Sequence, residues 1–201
     1  MKIVLATGNK NKIREIKEKF SALGTLEISS LEELSNIPHI EENASTFKGN
    51  ALIKASAICS LTGSPAMADD SGIVIDALNG EPGIYSARYG SIGFSDSERN
   101  SLVLSKLEGV PDNKRSARFV CAIALVLPNG EEYTTEGVCE GIISREPAGE
   151  KGFGYDPIFY IPEAGRTMAQ LSPEEKNSIS HRGKALEKIY EVLKDLTGEG
   201  L

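Results

Sequence analysis

A short apolar run, Lys2-Ile3-Val4-Leu5-Ala6, stops at Thr7-Gly8-Asn9-Lys10-Asn11-Lys12, and helical periodicity begins at once. A strand, a tight polar loop and a helix start in that order aim free backbone N–H groups and the positive end of a helix dipole at one point, a cradle for an anion. Gly8 lets the backbone approach a guest closely, Thr7 and Asn9 offer side-chain hydrogen bonds, and Lys10 and Lys12 add positive charge. The chemistry indicated is phosphate binding, although the same residues also make an ordinary strand-to-helix turn.

Asp69-Asp70-Ser71-Gly72 interrupts apolar sequence on both sides. Neighbours in an extended segment point to opposite faces, so only one of the two carboxylates faces a given cleft. A hard cation such as Mg²⁺ takes oxygen ligands, commonly one or two carboxylates with substrate phosphate oxygens. Asp70 with Glu41 or Glu42 from an acidic loop meets that need; as turn residues, Asp69 and Asp70 would instead make local backbone bonds. Gly149-Glu150-Lys151-Gly152-Phe153-Gly154-Tyr155-Asp156-Pro157 suits a backbone passing over a flat ring, with Phe153 or Tyr155 available for stacking, or a surface loop with a buried tyrosine. His181 and Arg182, following Lys176, stand at a helix start where a forked guanidinium would suit a base carbonyl or a phosphate; a solvated pair is the plainer reading. Lys54 on a second helix either points into a cleft or is solvated. Neither a Walker motif nor GxGxxG occurs, so neither standard nucleotide fold is indicated.

The elements that must position these groups read as follows. Ile13, Ile16, Phe20 and Leu23 mark one face of a helix ending at Gly24, and Leu26–Ser30 reads as a second strand. Residues 31–45 form a polar, acidic loop. From about Thr46 a helix buries Phe47, Ala51, Ala55 and Ile58 and stops at Gly63-Ser64-Pro65. An extended stretch enters the acidic turn at 69–72 and resumes at Ile73-Val74-Ile75. The glycine-rich segment 78–93 is irregular, and Ile84, Tyr85 and Tyr89 make it the expected interface of a dimer. Ser95 with Glu98, and Ser172-Pro173 with Glu175, are capping boxes for two further helices. Ala117–Leu127 and Glu132–Ile143 flank Pro128-Asn129-Gly130 as a long hairpin. Leu186, Ile189, Leu193 and Leu196 form the apolar face of the last helix. The fold class expected is α/β with a mixed sheet.

The 201 residues can bury a substantial core, and the formal net charge of −7 argues against tight non-specific nucleic-acid binding. Three scattered cysteines, Cys59, Cys121 and Cys139, give neither a disulfide framework nor zinc spacing and are expected to be small core residues. No apolar run reaches transmembrane length and no secretory leader precedes the first strand, so no membrane partner and a cytoplasmic location are expected.

Taken together, Thr7-Gly8-Asn9…Lys12, Phe47…Asn50-Ala51…Lys54-Ala55, Asp69-Asp70-Ser71-Gly72, Pro82-Gly83-Ile84-Tyr85-Ser86-Ala87-Arg88-Tyr89, Gly152-Phe153-Gly154-Tyr155-Asp156-Pro157 and Ser180-His181-Arg182-Gly183 resemble the HAM1/RdgB-type inosine triphosphate pyrophosphatase family. The resemblance keeps order and spacing from residue 2 to about residue 190. It implies one nucleotide pyrophosphatase domain over 1–201, an elongated mixed sheet with two lobes around a central cleft, Mg²⁺ as cofactor, and a homodimer. The implied reaction is hydrolysis of ITP, dITP or XTP to the monophosphate and pyrophosphate. By the same resemblance Thr7, Gly8, Asn9, Lys10, Asn11 and Lys12 hold the triphosphate, and Glu42 and Asp70 hold the metal. Asp70 also serves as base, with Lys12 and Lys54 assisting. Ser71 touches substrate, and Phe153, Gly154, Tyr155, Asp156, Lys176, His181 and Arg182 enclose the base. Rival readings are a Maf-type pyrophosphatase for pyrimidine or modified nucleotides and a non-catalytic nucleotide sensor.

Overall fold

Hydrophobic alternation in the extended segments and 3.6-residue periodicity between them yield twelve principal elements in a computed structural model that describes residues 1–21, 23–34, 37–91 and 93–198. They are β1 (Lys2–Leu5), α1 (Lys10–Phe20), β2 (Glu27–Ser30), α2 (Phe47–Thr62), β3 (Ala66–Ile75) and α3 (Asp96–Lys106). There follow β4 (Ser116–Val126), β5 (Glu132–Ile143), β6 (Phe159–Ile161), β7 (Arg166–Thr167), α4 (Pro173–Ile179) and α5 (His181–Thr197). The expected loop at 31–45 and the irregular segment at 78–93 each include positions outside the described residues.

The strands form a seven-stranded sheet in the order β2-β1-β3-β4-β5-β6-β7. β1 runs parallel to β2 and β3, whereas β6 is antiparallel to β5 and β7, so the sheet is mixed and the α/β expectation holds. The chain divides into two units, the first comprising Met1–Asp70, Cys121–Gly137 and Arg182–Leu201, the second Ser71–Val120 and Val138–His181.

In the first unit alternation sorts the strand residues cleanly. Ile3, Leu5, Met67, Cys121, Ile123 and Leu125 share one core with Ile16 and Phe20 of α1 and with Leu186, Ile189 and Leu193 of α5. Their sequence neighbours Val4, Ala6, Ala66, Ala68, Ala124 and Val126 share another with Ala51, Ala55 and Ile58 of α2. One face of the strands is thus covered by α1 and α5, the other by α2. Small alanines on both partners let α2 lie close to its strands. In the second unit a separate core joins Ile73, Ile75, Phe119, Cys139 and Phe159 to Val103 of α3 and to Leu107, which caps that helix. Arg115, 3% exposed, ties that unit together by donating to the carbonyls of Leu107, Ile143 and Ser144.

Two expectations need correction. The segment 69–72 is not a turn, because β3 runs unbroken from Ala66 to Ile75. Turn-type residues stay extended there because side chains from neighbouring helices satisfy them. The first helix ends at Phe20 rather than Gly24, its cap Ser21 still in right-handed backbone and its N–H returned to the Glu18 carbonyl. The capping boxes at Ser95 and Ser172, the Thr46 cap and the left-handed Gly63 cap stand as read. All three cysteines are buried and none is in a disulfide among the described residues, as expected of core residues.

Candidate active site

β1 ends at Leu5, paired with Met67, so Asp69 and Asp70, two and three residues further along β3, lie beyond the carboxyl end of its parallel neighbour. That end of a parallel pair is where α/β sheets leave a crevice for ligands. Strand alternation then separates the two carboxylates. Asp69 shares parity with Met67 and turns to the α1/α5 face; Asp70 shares parity with Ala68 and turns to the α2 face.

On the first face Lys12 Nζ lies 2.9 Å from Asp69 Oδ2, and Arg182 reaches the same oxygen with Nε and Nη2, both at 3.3 Å. Arg182 also donates through Nη1 to Glu15 Oε2 at 2.6 Å. Asp69 and Arg182 are 1% and 2% exposed. Burial pushes the Asp69 carboxyl up, but Lys12, Arg182 and Lys54 outweigh it and hold the group below the usual carboxylate range. Arg182, expected to enclose a base, therefore has its guanidinium engaged by two buried carboxylates.

On the second face Asn50 donates from Nδ2 to Asp70 Oδ2 at 3.1 Å and accepts the Ala44 N–H at 3.0 Å. This fully buried amide fastens the acidic loop to the aspartate. Lys54, one helical turn on, donates to Glu42 Oε2 at 3.3 Å and to the Asp69 carbonyl at 2.8 Å, and stands 3.7 Å from Asp70 Oδ1. Glu42 is thus the loop carboxylate brought beside Asp70, while Glu41 is exposed. For Asp70, burial outweighs Lys54 and the Asn50 hydrogen bond and raises the carboxyl above its ordinary value. Two carboxylates facing one ammonium form a hard oxygen donor set of the kind a small divalent cation uses. Among the described residues no group of three or more His, Cys, Asp or Glu side chains is arranged for a metal.

The loop Thr7–Lys12 is tighter than its sequence suggests. Asn9 Oδ1 accepts the N–H groups of Asn11 and Lys12, and Thr7 Oγ1 accepts that of Asn9. These side chains cap α1, so an anion at this helix start competes with Asn9 for amides already satisfied. Gly8, Asn9 and Lys10 are exposed, and Asn11 and Lys12 partly so.

The second unit holds Ser71 in β3 and the 149–157 loop. Asp156, 2% exposed, accepts the Phe153 N–H at 2.9 Å and pairs with Lys176 Nζ at 2.6 Å. Lys176 in turn lies 4.6 Å from the Phe153 ring centroid, a cation–π distance. Gly152 is required here: its φ is +77°, and a Cβ would stand 2.1 Å from Asp156 Oδ2. Tyr155, expected as a base contact, is 4% exposed within the core, and its hydroxyl donates to the Ser86 carbonyl at 2.8 Å. Its ring is packed away, which leaves Phe153 as the loop's aromatic for stacking. His181, 5% exposed, stacks on Phe119 with centroids 4.6 Å apart.

The sequence reading passed over Glu15, and left Asn50 without a role. Glu15 looks like one of many charged positions on α1, and only the spacing of Asn50 one turn before Lys54 hinted at a shared face.

The model of the Ham1 family matches residues 3–192. A dITP/XTP pyrophosphatase of Desulforamulus reducens is 51% identical over 196 residues, covering 98% of this chain and 97% of the relative. A protein of the same description from Geobacillus kaustophilus is 46% identical, with 98% and 96% covered. The structure of a HAM1 protein from Coxiella burnetii superposes with a TM-score of 0.90 at 48% identity, covering 97% of this chain and 99% of that one.

Proposed function

The chain belongs to the Ham1 family, and from that premise we propose that it hydrolyses the non-canonical purine nucleoside triphosphates dITP, XTP and ITP to the monophosphate and pyrophosphate. It is a nucleoside triphosphate pyrophosphatase. The observation that carries the reading is the meeting of Lys54 with Glu42 and Asp70, beside Lys12 on Asp69, at the carboxyl end of β1. Ammonium groups interleaved with carboxylates suit a polyphosphate and its counter-cation.

In this reading Glu42 and Asp70 hold Mg²⁺, which when bound supplies Lewis-acid withdrawal of charge from phosphorus, worth several kcal/mol of barrier. Asn50 fixes the Asp70 carboxylate through Oδ2, leaving Oδ1 turned toward Lys54. Asp70 accepts the proton of the attacking water, whose oxygen bonds to the α-phosphorus as the bond to the bridging oxygen of pyrophosphate breaks. Lys12 and Lys54 balance the charge that grows on the departing pyrophosphate. Thr7 to Asn11 line the phosphate path and Ser71 touches the substrate.

For the base, Phe153 offers its ring, and Lys176, held over it by Asp156, is a donor for a 6-keto oxygen. A donor there meets the amine of adenine badly, which penalises ATP. His181 completes this end, Gly154 shapes the loop next to Phe153, and Arg182 contributes by holding Asp69 and Glu15. In this proposal residues 1–201 act as one domain. A cytoplasmic homodimer is the working form in this proposal; light scattering must then return twice the chain mass.

The test is a pyrophosphate-release assay on ITP, XTP, dITP, ATP, GTP and the pyrimidine triphosphates, with and without Mg²⁺. Mg²⁺-dependent pyrophosphate from the three deaminated purines, with little from the rest, is expected. Orthophosphate as the product, or equal turnover of pyrimidine triphosphates, overturns the assignment.

A further inference from the structure

The base-side loop is gripped from a helix to which no role has been given. α3 starts at Ser95, whose side chain and that of Glu98 form a reciprocal capping box, so its first turn is fixed. Asp96 and Asn100, one turn apart, face the same side. Asp96 Oδ2 accepts the Gly154 N–H at 2.6 Å, while its Oδ1 is held by Arg99 Nη2 at 2.6 Å. Asn100, 4% exposed, donates from Nδ2 to the Gly154 carbonyl at 3.1 Å. Both backbone groups of one residue are therefore taken by one helix face.

That residue matters to its neighbour. Gly154 has φ +64°, Gly152 has φ +77° and Gly149 has φ +85°, so the loop is built from residues that resist ordering more than any others. Phe153 sits between two of them. Its N–H is tied to Asp156, and the peptide that follows it is tied to α3.

We infer that Asp96 and Asn100 are positioning residues that set the Phe153 ring for the purine base by clamping Gly154. The inference rests on the proposed stacking of Phe153 against the base. It assigns the clamp to substrate affinity and not to the chemical step, because neither residue touches the reacting groups Asp70, Lys12 or Lys54.

Asp96 is the variant of choice, since its side chain is 48% exposed and its loss leaves no hole. Asp96→Ala is expected to raise KM for ITP about tenfold with kcat changed less than about twofold, the scale of one lost charge-assisted hydrogen bond. Asp96→Asn keeps an acceptor oxygen for the Gly154 N–H and should recover most of the loss. In a Phe153→Ala background, Asp96→Ala should add nothing, because the ring it positions is gone. A tenfold KM effect that persists in that background, or no KM effect in Asp96→Ala while Phe153→Ala alone raises KM, overturns the clamp and leaves the stacking reading standing. An unchanged KM in Phe153→Ala removes the stacking reading and the clamp with it.

Discussion

Replacing Arg182 with methionine tests whether this side chain is an anchor or a substrate contact. The guanidinium is 2% exposed and makes three hydrogen bonds to carboxylates, one to Glu15 at 2.6 Å and two to Asp69 at 3.3 Å. Methionine fills much of the same volume and supplies no charge. Asp69, 1% exposed, keeps Lys12 at 2.9 Å, but its Oδ1 is already buried without a hydrogen-bond partner among the described residues. Glu15 loses its short charged bond altogether. Removing one member of a buried ion pair costs about 3–5 kcal/mol, chiefly for the carboxylates left behind. With a urea slope of about 2 kcal/mol/M, the unfolding midpoint should fall by about 2 M. Lys12→Met is the control: its side chain is 15% exposed and Asp69 retains the guanidinium, so a loss of about 1–2 kcal/mol is expected. The chain has no tryptophan, so ellipticity at 222 nm is the readout. An Arg182→Met unfolding free energy within about 1 kcal/mol of the parent, together with a large rise in KM for ITP, would show that the guanidinium serves the substrate and refute the anchor.

Asp70→Asn should lower kcat by about 10²–10⁴-fold with far-UV circular dichroism unchanged, because an asparagine oxygen still accepts from Asn50; parental turnover would remove the base assignment. Asp69 makes stability depend on pH in a defined direction. Its folded pKa lies below the unfolded value of about 3.9, so the contribution is complete above about pH 4 and is lost as pH falls through the folded value. The gap in urea midpoint between the parent and Asp69→Asn should be constant from pH 5 to pH 7 and shrink below pH 4; a gap that widens on acidification contradicts the sign. Burial pushes the Cys121 thiol up to about 12, so it should resist alkylation at pH 8 until urea is added; stoichiometric labelling of Cys121 in the native protein would contradict its burial.

Local rules carried the elements whose partners are near in sequence. Apolar spacing marked the buried faces of α1, α2 and α5, and the Ser95/Glu98 and Ser172/Glu175 boxes marked two helix starts. The same rules misread 69–72, since two aspartates, a serine and a glycine are turn residues by type. What keeps them extended is remote: Arg182 meets Asp69 across 113 residues, and Asn50 meets Asp70 across 20. Asn9 is legible as a hydrogen-bonding group but not as a cap, because a side chain that offers a hydrogen bond to a guest is indistinguishable in sequence from one already spent on its own helix. Tyr155 reads equally as a stacking ring or as a buried tyrosine, and the bond from its hydroxyl to the Ser86 carbonyl decides for the second. Asn100 carries no local signal, because the Gly154 carbonyl it meets is 54 residues away.

The aspartate pair shows how a single residue step assigns two roles. Both carboxylates are buried, Asp69 at 1% and Asp70 at 8% exposure, and burial alone would raise both. Alternation sends Asp69 toward two cations at hydrogen-bonding distance, Lys12 and Arg182, and their field more than offsets desolvation. It sends Asp70 toward a neutral amide and a lysine shared with Glu42, where desolvation prevails. Without a bound cation the pair is thereby split into an anchor that stays ionised at neutral pH and a carboxylate with greater proton affinity. Exchanging the two environments by moving one cation would be costlier than it looks, since Lys54 also donates to the Asp69 carbonyl and so measures the register of β3 against α2.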